Sequence, residues 1–196
     1  MARLGVALVA ALAIGLGACG GSDSTTPPPK HQRSENADEL PKLPDGWKPH
    51  VNQAGGFALG LPRGWEPADH GGTTQVRSYD RLVVLTISAD RTEEALGVPL
   101  GEFATVTAGE LPGLKDSSTP SDPKPFKHRY DAVETSLTAK SAKTGVRERI
   151  SVIVIRRDHL ALFTADVFAS ATAQAEDATR LARQAIATLR SQPPSS

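Results

Sequence analysis

One stretch of the sequence decides the fold: VRERISVIVIR, residues 146–156. Its valines and isoleucines favour a β-strand. Side chains alternate between the two faces of a strand, and apolar residues occupy both odd and even positions from Ile150 to Ile155. Both faces of this strand are therefore apolar, which is typical of a central strand covered on both sides.

The segments around this stretch predict more strands. Residues 73–79 and 82–88 form a predicted hairpin, and its second segment is again apolar on both faces. Residues 126–140 contain one or two strands, and residues 159–168 form another strand after a turn. Because consecutive strands joined by tight turns pair side by side, we expect an antiparallel sheet.

Two helices are predicted in addition. Apolar residues recur at helical spacing between Leu100 and Leu111, with Pro99 and Pro112 at the two ends. Residues 175–190 show the clearest helical pattern of the chain. The predicted fold class is therefore α+β. Because two strands are apolar on both faces, we expect an antiparallel sheet flanked by helices on both faces, an α/β/α sandwich.

The first eighteen residues have the layout of a secretory signal. Arg3 precedes an apolar run, residues 4–16, which matches a signal h-region and is shorter than the ~20 residues of a membrane-spanning helix. The small residues Gly17 and Ala18 follow, and then comes the only cysteine of the chain, Cys19. Nowhere else does the sequence contain about 18 uncharged apolar residues in a row.

Leu16-Gly17-Ala18-Cys19 resembles the lipobox of bacterial lipoproteins, in which a hydrophobic residue and two small residues precede the modified cysteine. The resemblance implies that a diacylglyceryl group, with fatty acids such as palmitate, is attached to Cys19 and that the chain is cleaved between Ala18 and Cys19. Since a single acyl chain binds a membrane only reversibly, two or more chains are expected to anchor it stably. The alternative is a plain secretory signal followed by a free cysteine.

Composition divides the chain into four parts. Residues 1–18 are the predicted signal peptide, and residues 19–44 are the lipidated cysteine with a flexible tether rich in Pro, Ser and Gly. Residues 45–190 are the predicted globular domain, and residues 191–196 are a predicted disordered tail. The anchor implies a cell-envelope protein on the membrane surface that faces away from the cytoplasm.

The start of the domain carries a second resemblance. GFALGLPRGW, residues 56–65, resembles the opening motif of PsbP-like domains, a Gly-Phe strand that ends in Pro-x-x-Trp. With the lipobox, the tether and the C-terminal helix, it is similar to the LpqN/LpqT group of actinobacterial lipoproteins. The resemblance implies an antiparallel sheet flanked by helices, no catalytic site in most members, and roles as assembly or interaction modules, some linked with cell-wall lipid export.

Charge and motifs argue against several function classes. The 22 basic residues equal the 22 acidic residues, so nucleic acid is not an expected partner. The sequence has no Gly-x-Ser-x-Gly, His-Glu-x-x-His or phosphate-binding Gly-Lys-Ser/Thr motif. The histidines are not spaced as metal ligands usually are: His31, His50, His70, His128 and His159. We expect no catalytic residue, cofactor or metal, while a triad assembled from distant positions stays open.

Two groups of basic residues are candidates for contact with anionic lipid headgroups or an acidic partner. The alternative is a solvated strand edge that prevents aggregation. The groups are Lys124, Lys127, His128 and Arg129, and Arg147, Arg149, Arg156 and Arg157. The aromatic side chains are interpreted first as core and second as a ligand pocket: Trp47, Phe57, Trp65, Phe103 and Phe163. Asp69-His70 and Asp158-His159 are interpreted as solvated turn residues.

Three functional hypotheses follow from these features. The first is a non-enzymatic interaction or assembly module of the cell envelope with an unknown protein partner. The second is a carrier of a lipid or small ligand, which requires an apolar cavity. The third is a hydrolase with a dispersed site.

Overall fold

The computed structural model describes residues 38–193, which fold into a mixed α+β structure. The strands are β1 (Lys48–Asn52), β2 (Phe57–Leu61), β3 (Glu66–His70), β4 (Thr73–Arg77), β5 (Val83–Asp90), β6 (Leu114–Lys115), β7 (Lys124–Pro125), β8 (Asp131–Ser141), β9 (Arg147–Arg157), β10 (Ala161–Ser170) and β11 (Arg190–Ser191). The helices are α1 (Glu93–Gly97), α2 (Leu100–Gly109) and α3 (Ala175–Ala187). The predicted α+β class is confirmed.

These strands form a large and a small sheet. The large sheet has the order β3-β4-β5-β10-β9-β8-β6, and β7 also pairs with β8. The small sheet has the order β1-β2-β11. In the large sheet, Val154 of β9 lies between Val133 of β8 and Thr164 of β10. Every pairing among the described strands is antiparallel, as the sequence predicts.

The core consists of two clusters that divide at β9. Ile153 and Ile155 lie in the first cluster, together with buried residues of β2, β5 and α3. Ile150, Val152 and Val154 lie in the second cluster, together with buried alanines of α1 and α2. The side chains of these five β9 residues are fully buried. Successive residues of β9 therefore lie in different clusters, because side chains alternate between the two faces of a strand.

The aromatic residues belong to the core, as predicted. Phe57 and Phe163 are fully buried and meet edge to face, with ring centroids 6.2 Å apart. Trp65 is 8% exposed in the same cluster, and Trp47 packs against it. Phe103 of α2 packs against the second cluster.

Helices α2 and α3 match their predicted positions. Pro99 precedes α2, where its missing N–H leaves no helical hydrogen bond unmade. Glu176 and Asp177 lie in the first turn of α3, where the helix dipole favours negative charge. Within residues 38–193, no helix has both the length and the apolar character needed to cross a bilayer.

Several short elements were not predicted. Strands β1 (KPHVN) and β3 (EPADH) contain proline and lack the alternation of apolar and polar residues that predicts a strand. All five residues of β3 are exposed at the edge of the large sheet, a position that tolerates Pro67. The interpretation of Asp69 and His70 as turn residues was wrong, since both belong to β3. Asp158 lies in a turn, as predicted.

The C-terminal limit of the domain lies beyond the predicted residue 190. Ser191 is fully buried and pairs with Phe57 in the small sheet. The Gln192 N–H donates to the Gly56 carbonyl over 2.7 Å. Residues 191 and 192, predicted as the start of a tail, are part of the small sheet and its immediate contacts.

The N-terminal limit also lies outside the predicted residue 45. Leu43 packs on Gly60 so closely that a Cβ at position 60 would lie 2.4 Å from Leu43 Cδ2. The Asp38 N–H donates to the Ser191 carbonyl over 3.1 Å. Residues 38–44, predicted as tether, therefore lie against the domain.

One acidic side chain lies within the central sheet. Asp166 of β10 pairs with Thr86 of β5 and Val152 of β9, and its Oδ1 is buried with no hydrogen-bond partner among residues 38–193. Burial raises the pKa of Asp166 to about 6 from its ordinary value of 3.8. The folded domain consequently favours the protonated acid.

Asp166→Asn is expected to stabilise the domain at pH 7. A carboxyl with a raised pKa contributes most stability below pH 3.8 and loses that contribution as the pH rises through about 6. The neutral amide removes this loss, so the gain should be about 2–3 kcal/mol at pH 7 and should fall to about 0.5 kcal/mol at pH 4. Urea unfolding at both pH values measures it, with exposed Asp122→Asn as the control. A gain that does not depend on pH would contradict this account.

Candidate functional site

A solvent-open groove of about 650 Å³ lies beside helix α3, and we name it the α3 groove. One wall is α3, and the other is residues 125–127, which include the end of β7, together with Arg149 of β9. The lining positions of α3 recur at helical spacing, so they share one face of the helix. They are Glu176, Thr179, Arg180, Arg183, Gln184 and Ala187.

The lining of the α3 groove includes an aromatic side chain, Phe126, that is packed against the core. Phe126 is half-buried and packs against the first core cluster. The Arg183 guanidinium lies 5.3 Å from the centroid of the Phe126 ring, within cation–π distance. Arg183 also forms an ion pair with Glu134 of β8. Ring and carboxylate together hold Arg183 in one position.

Positive charge exceeds negative charge in the α3 groove. Its lining contains Lys127, Arg149, Arg180 and Arg183, against the single acid Glu176. Arg180 forms an exposed ion pair within its own helix, which is weak in water. The side chains of Lys127 and Arg149 have no hydrogen-bond or ion-pair partner in the described part of the chain. Two cations are thus free to meet an anionic group.

The sequence-predicted basic residues are only partly brought together. Lys127 and Arg149, which come from different predicted groups, share the α3 groove. Arg129 and Arg157 instead lie near Asp38, and Arg156 donates to a backbone carbonyl before α2. Sequence reasoning missed the groove arginines of α3, which carry no signal beyond their position opposite the helix's apolar face. Lys124 and Arg147 are exposed outside the groove.

Asp38 joins the start of the described chain to its end. Its carboxylate accepts a short hydrogen bond from the Tyr130 hydroxyl and lies 3.2 Å from Arg157 Nε and 4.0 Å from Arg129 Nη1. Its carbonyl accepts from Gln192 Nε2 over 2.8 Å. We name these five residues the Asp38 clamp. The clamp fixes the position at which residue 38 leaves the domain.

Tyr130 of the clamp and the neighbouring His128 are both held neutral. Burial, aided by the hydrogen bond to Asp38, raises the pKa of Tyr130 to about 12, so its hydroxyl remains a donor. Burial lowers the pKa of His128 to about 4, and the Arg190 charge adds to this effect. The Tyr130 N–H donates to His128 Nδ1, and His128 Nε2 lies 3.2 Å from the Leu189 carbonyl. This pattern places the imidazole proton on Nε2.

A second polar cluster centres on Asp69. The Thr74 hydroxyl and Asn52 Nδ2 donate to Asp69 Oδ1, which also lies 3.0 Å from His50 Nε2. Burial opposes ionisation, but the Thr74 and His50 hydrogen bonds outweigh it and hold the pKa of Asp69 below its usual range. Thr74 and His50 both contact the acid, whereas a nucleophile relay needs the hydroxyl to contact the imidazole. The cluster therefore ties β1 to the β3–β4 hairpin.

The predicted lipid-attachment site lies outside the described residues. This applies to Ala18 and Cys19 and also to His31. Across residues 38–193, no group of three or more His, Cys, Asp or Glu side chains is placed to hold a metal ion.

Comparison with known proteins gives likenesses of fold. No protein-family model and no curated protein matches the sequence. A Bacteroides thetaiotaomicron structure is 14% identical over 75% of this chain, with a TM-score of 0.50. The chain spans about half the length of that protein, 49%. A variant of the protein Mog1 is 10% identical, with a TM-score of 0.50, over 73% of this chain and 94% of its own.

A Mycobacterium tuberculosis structure, LpqN, is also similar. LpqN, described as involved in cell envelope biogenesis, is 16% identical over 81% of this chain and 87% of its own, with a TM-score of 0.41. At this TM-score the similarity to LpqN supports no conclusion about the fold or role of this chain. The resemblance to PsbP-like domains and to the LpqN/LpqT group stays a prediction, and the other likenesses concern the fold alone.

Asp38→Asn is expected to loosen the clamp. The amide keeps the shape of the carboxylate but loses the charge that faces Arg129 and Arg157, so the free energy of unfolding should fall by about 1–3 kcal/mol. Urea unfolding measures the loss, and limited proteolysis should show faster cleavage within residues 38–47. Exposed Asp45→Asn is the matched control. Equal free energies of unfolding for the two variants would show that the Asp38 clamp does not stabilise the domain.

Proposed function

We propose that this chain is a lipid-anchored protein of the cell envelope that acts as a non-enzymatic interaction module through the α3 groove. The signal sequence and the lipobox-like Leu16-Gly17-Ala18-Cys19 support the anchor. The single observation that carries the interaction role is the pair of unpartnered cationic side chains, Lys127 and Arg149, in one groove with the apolar side chain of Phe126.

The charge of the α3 groove determines the partner that we infer. Cations around Phe126 complement a segment with acidic side chains on either side of an apolar one. We infer that such a segment of an envelope protein occupies the groove. The groove is open to solvent, which suits a protein segment better than a lipid, since a lipid carrier requires an enclosed cavity.

We further infer that the domain is the α/β/α scaffold expected from the sequence. Successive residues of β9 lie in different core clusters, one with α3 and one with α1 and α2. This division supports opposite sides of the large sheet for α3 and for α2. The α3 groove would then be one of two separate helical surfaces.

The anchor is tested by Cys19→Ser in the full chain. Without the thiol no diacylglyceryl group can be attached, so the protein should leave the membrane fraction and should not incorporate labelled palmitate. Ser22→Ala, three residues downstream, is the control and should stay in the membrane fraction. Retention of the Cys19→Ser variant in washed membranes would contradict the proposed lipid anchor.

The groove is tested with a photo-crosslinking amino acid at exposed Gln184 of the anchored chain. We expect a crosslink to a protein, and mass spectrometry should identify an acidic peptide at the joined position. Lys127→Glu with Arg149→Glu should reduce this product at least about tenfold, because like charges then face each other. Lys143→Glu, exposed outside the groove, should leave it unchanged. A lipid adduct as the only product would favour the carrier hypothesis instead.

A further inference from the structure

The α1–α2 region carries the charge opposite to that of the α3 groove. Between Arg91 and Lys115 the sequence contains four glutamates and no Lys, Arg or His. Glu93 and Glu94 belong to α1, Glu102 belongs to α2, and Glu110 follows α2 directly. The charged side chains of this segment are therefore all acidic.

An exposed ridge runs along α2. Glu102, Val106 and Glu110 are spaced four residues apart, so they lie one above the other, about 6 Å per step along the helix axis. Val106 is 52% exposed, among the few large apolar side chains of the described chain that face water. Both glutamates are exposed, and neither carboxylate has a hydrogen-bond or ion-pair partner among residues 38–193. We name these three residues the α2 ridge.

The position of Glu110 is unfavourable within one molecule. It lies at the C-terminal end of α2, where the helix dipole favours positive charge, and the last turn of α2 contains no basic residue. A cation supplied by another molecule would relieve this repulsion.

We propose that the α2 ridge of one copy docks into the α3 groove of a second copy, an inference that deepens the proposed function by naming the acidic segment. Val106 packs against the Phe126 ring, while Glu102 and Glu110 reach Lys127 and Arg149. A ridge with an apolar side chain between two acids thus meets two unpartnered cations around an aromatic ring, in the helix-in-groove mode of recognition.

A chain cannot fill its own groove in this way. Helix α2 packs with the second core cluster and α3 with the first, so ridge and groove belong to separate parts of the same fold. The contact between two copies is therefore heterologous, and repetition gives a ring or an open row of molecules. Attachment of the copies to one membrane raises their local concentration, which favours even a weak contact of this kind.

Charge exchange between two tagged forms of the anchored, full-length chain tests the contact. Wild-type copies with different tags should co-purify from membranes in mild detergent. Lys127→Glu with Arg149→Glu places acids in the groove, and Glu102→Lys with Glu110→Lys places cations on the ridge. Each double variant alone should lose co-purification at least about tenfold, and a mixture of the two should regain it.

Matched controls and a crosslink make the outcome specific. Lys143→Glu and Glu66→Lys reverse exposed charges outside the two surfaces and should co-purify like wild type. Since Cys19 is the only natural cysteine, Val106→Cys in one copy and Gln184→Cys in the other should form a disulfide-linked dimer. Val106→Cys alone should form none, because a ridge does not meet a ridge.

The results separate this inference from the proposed function. If the peptide captured at position 184 contains residues 102–110 and the charge-exchanged mixture regains association, the self-contact stands. If the captured acidic peptide comes from another envelope protein and wild-type copies do not co-purify, the self-contact is overturned while the interaction role remains. A dimer formed by Val106→Cys alone, or double variants that each associate like wild type, would also overturn it.

Discussion

The structure depends on the burial of both faces of strand β9. Five of the six residues from Ile150 to Ile155 are apolar, and their side chains alternate between the two faces of the strand. Exposure of either face would leave several branched side chains in water. Burial of a Val or Ile side chain contributes about 1.5–3 kcal/mol, so neither face can be given up by a domain of marginal stability. Two core clusters are the consequence, and the groove and the ridge each lie on a helix of one cluster.

Much of this architecture could be read from the sequence because its signals are local. β9, β10, the β4–β5 hairpin, α2 and α3 all carry strong periodicity, and the structure has each of them close to the predicted residues. The small sheet escaped prediction for a physical reason. β11 has two residues, and β1 has one aliphatic residue, Val51, among polar residues and a proline, so their pairing with β2 is decided by tertiary contacts.

The candidate site was only half visible in the sequence. Lys127 and Arg149 were each singled out as basic residues, but nothing local tells that they share one groove with Arg183. That proximity arises from the packing of α3 on the sheet. Asp38 shows the same limit, since it lies in a polar stretch typical of a linker and yet meets Tyr130 and Arg157 far along the chain. Cys19 is the reverse case, because the sequence alone predicts lipid attachment there and the residue lies outside the described part of the chain.

The clamp at Asp38 has a consequence for how far an anchored domain can range. A tether from Cys19 to residue 44 would extend at most about 85 Å, whereas a tether that ends at Asp38 would extend at most about 65 Å. The volume open to the domain around its attachment point scales with the cube of that length, so the clamp reduces it to roughly half. In the lipid-anchored arrangement that we propose, a single half-buried carboxylate would thereby bring neighbouring domains closer together and keep each of them near the membrane surface.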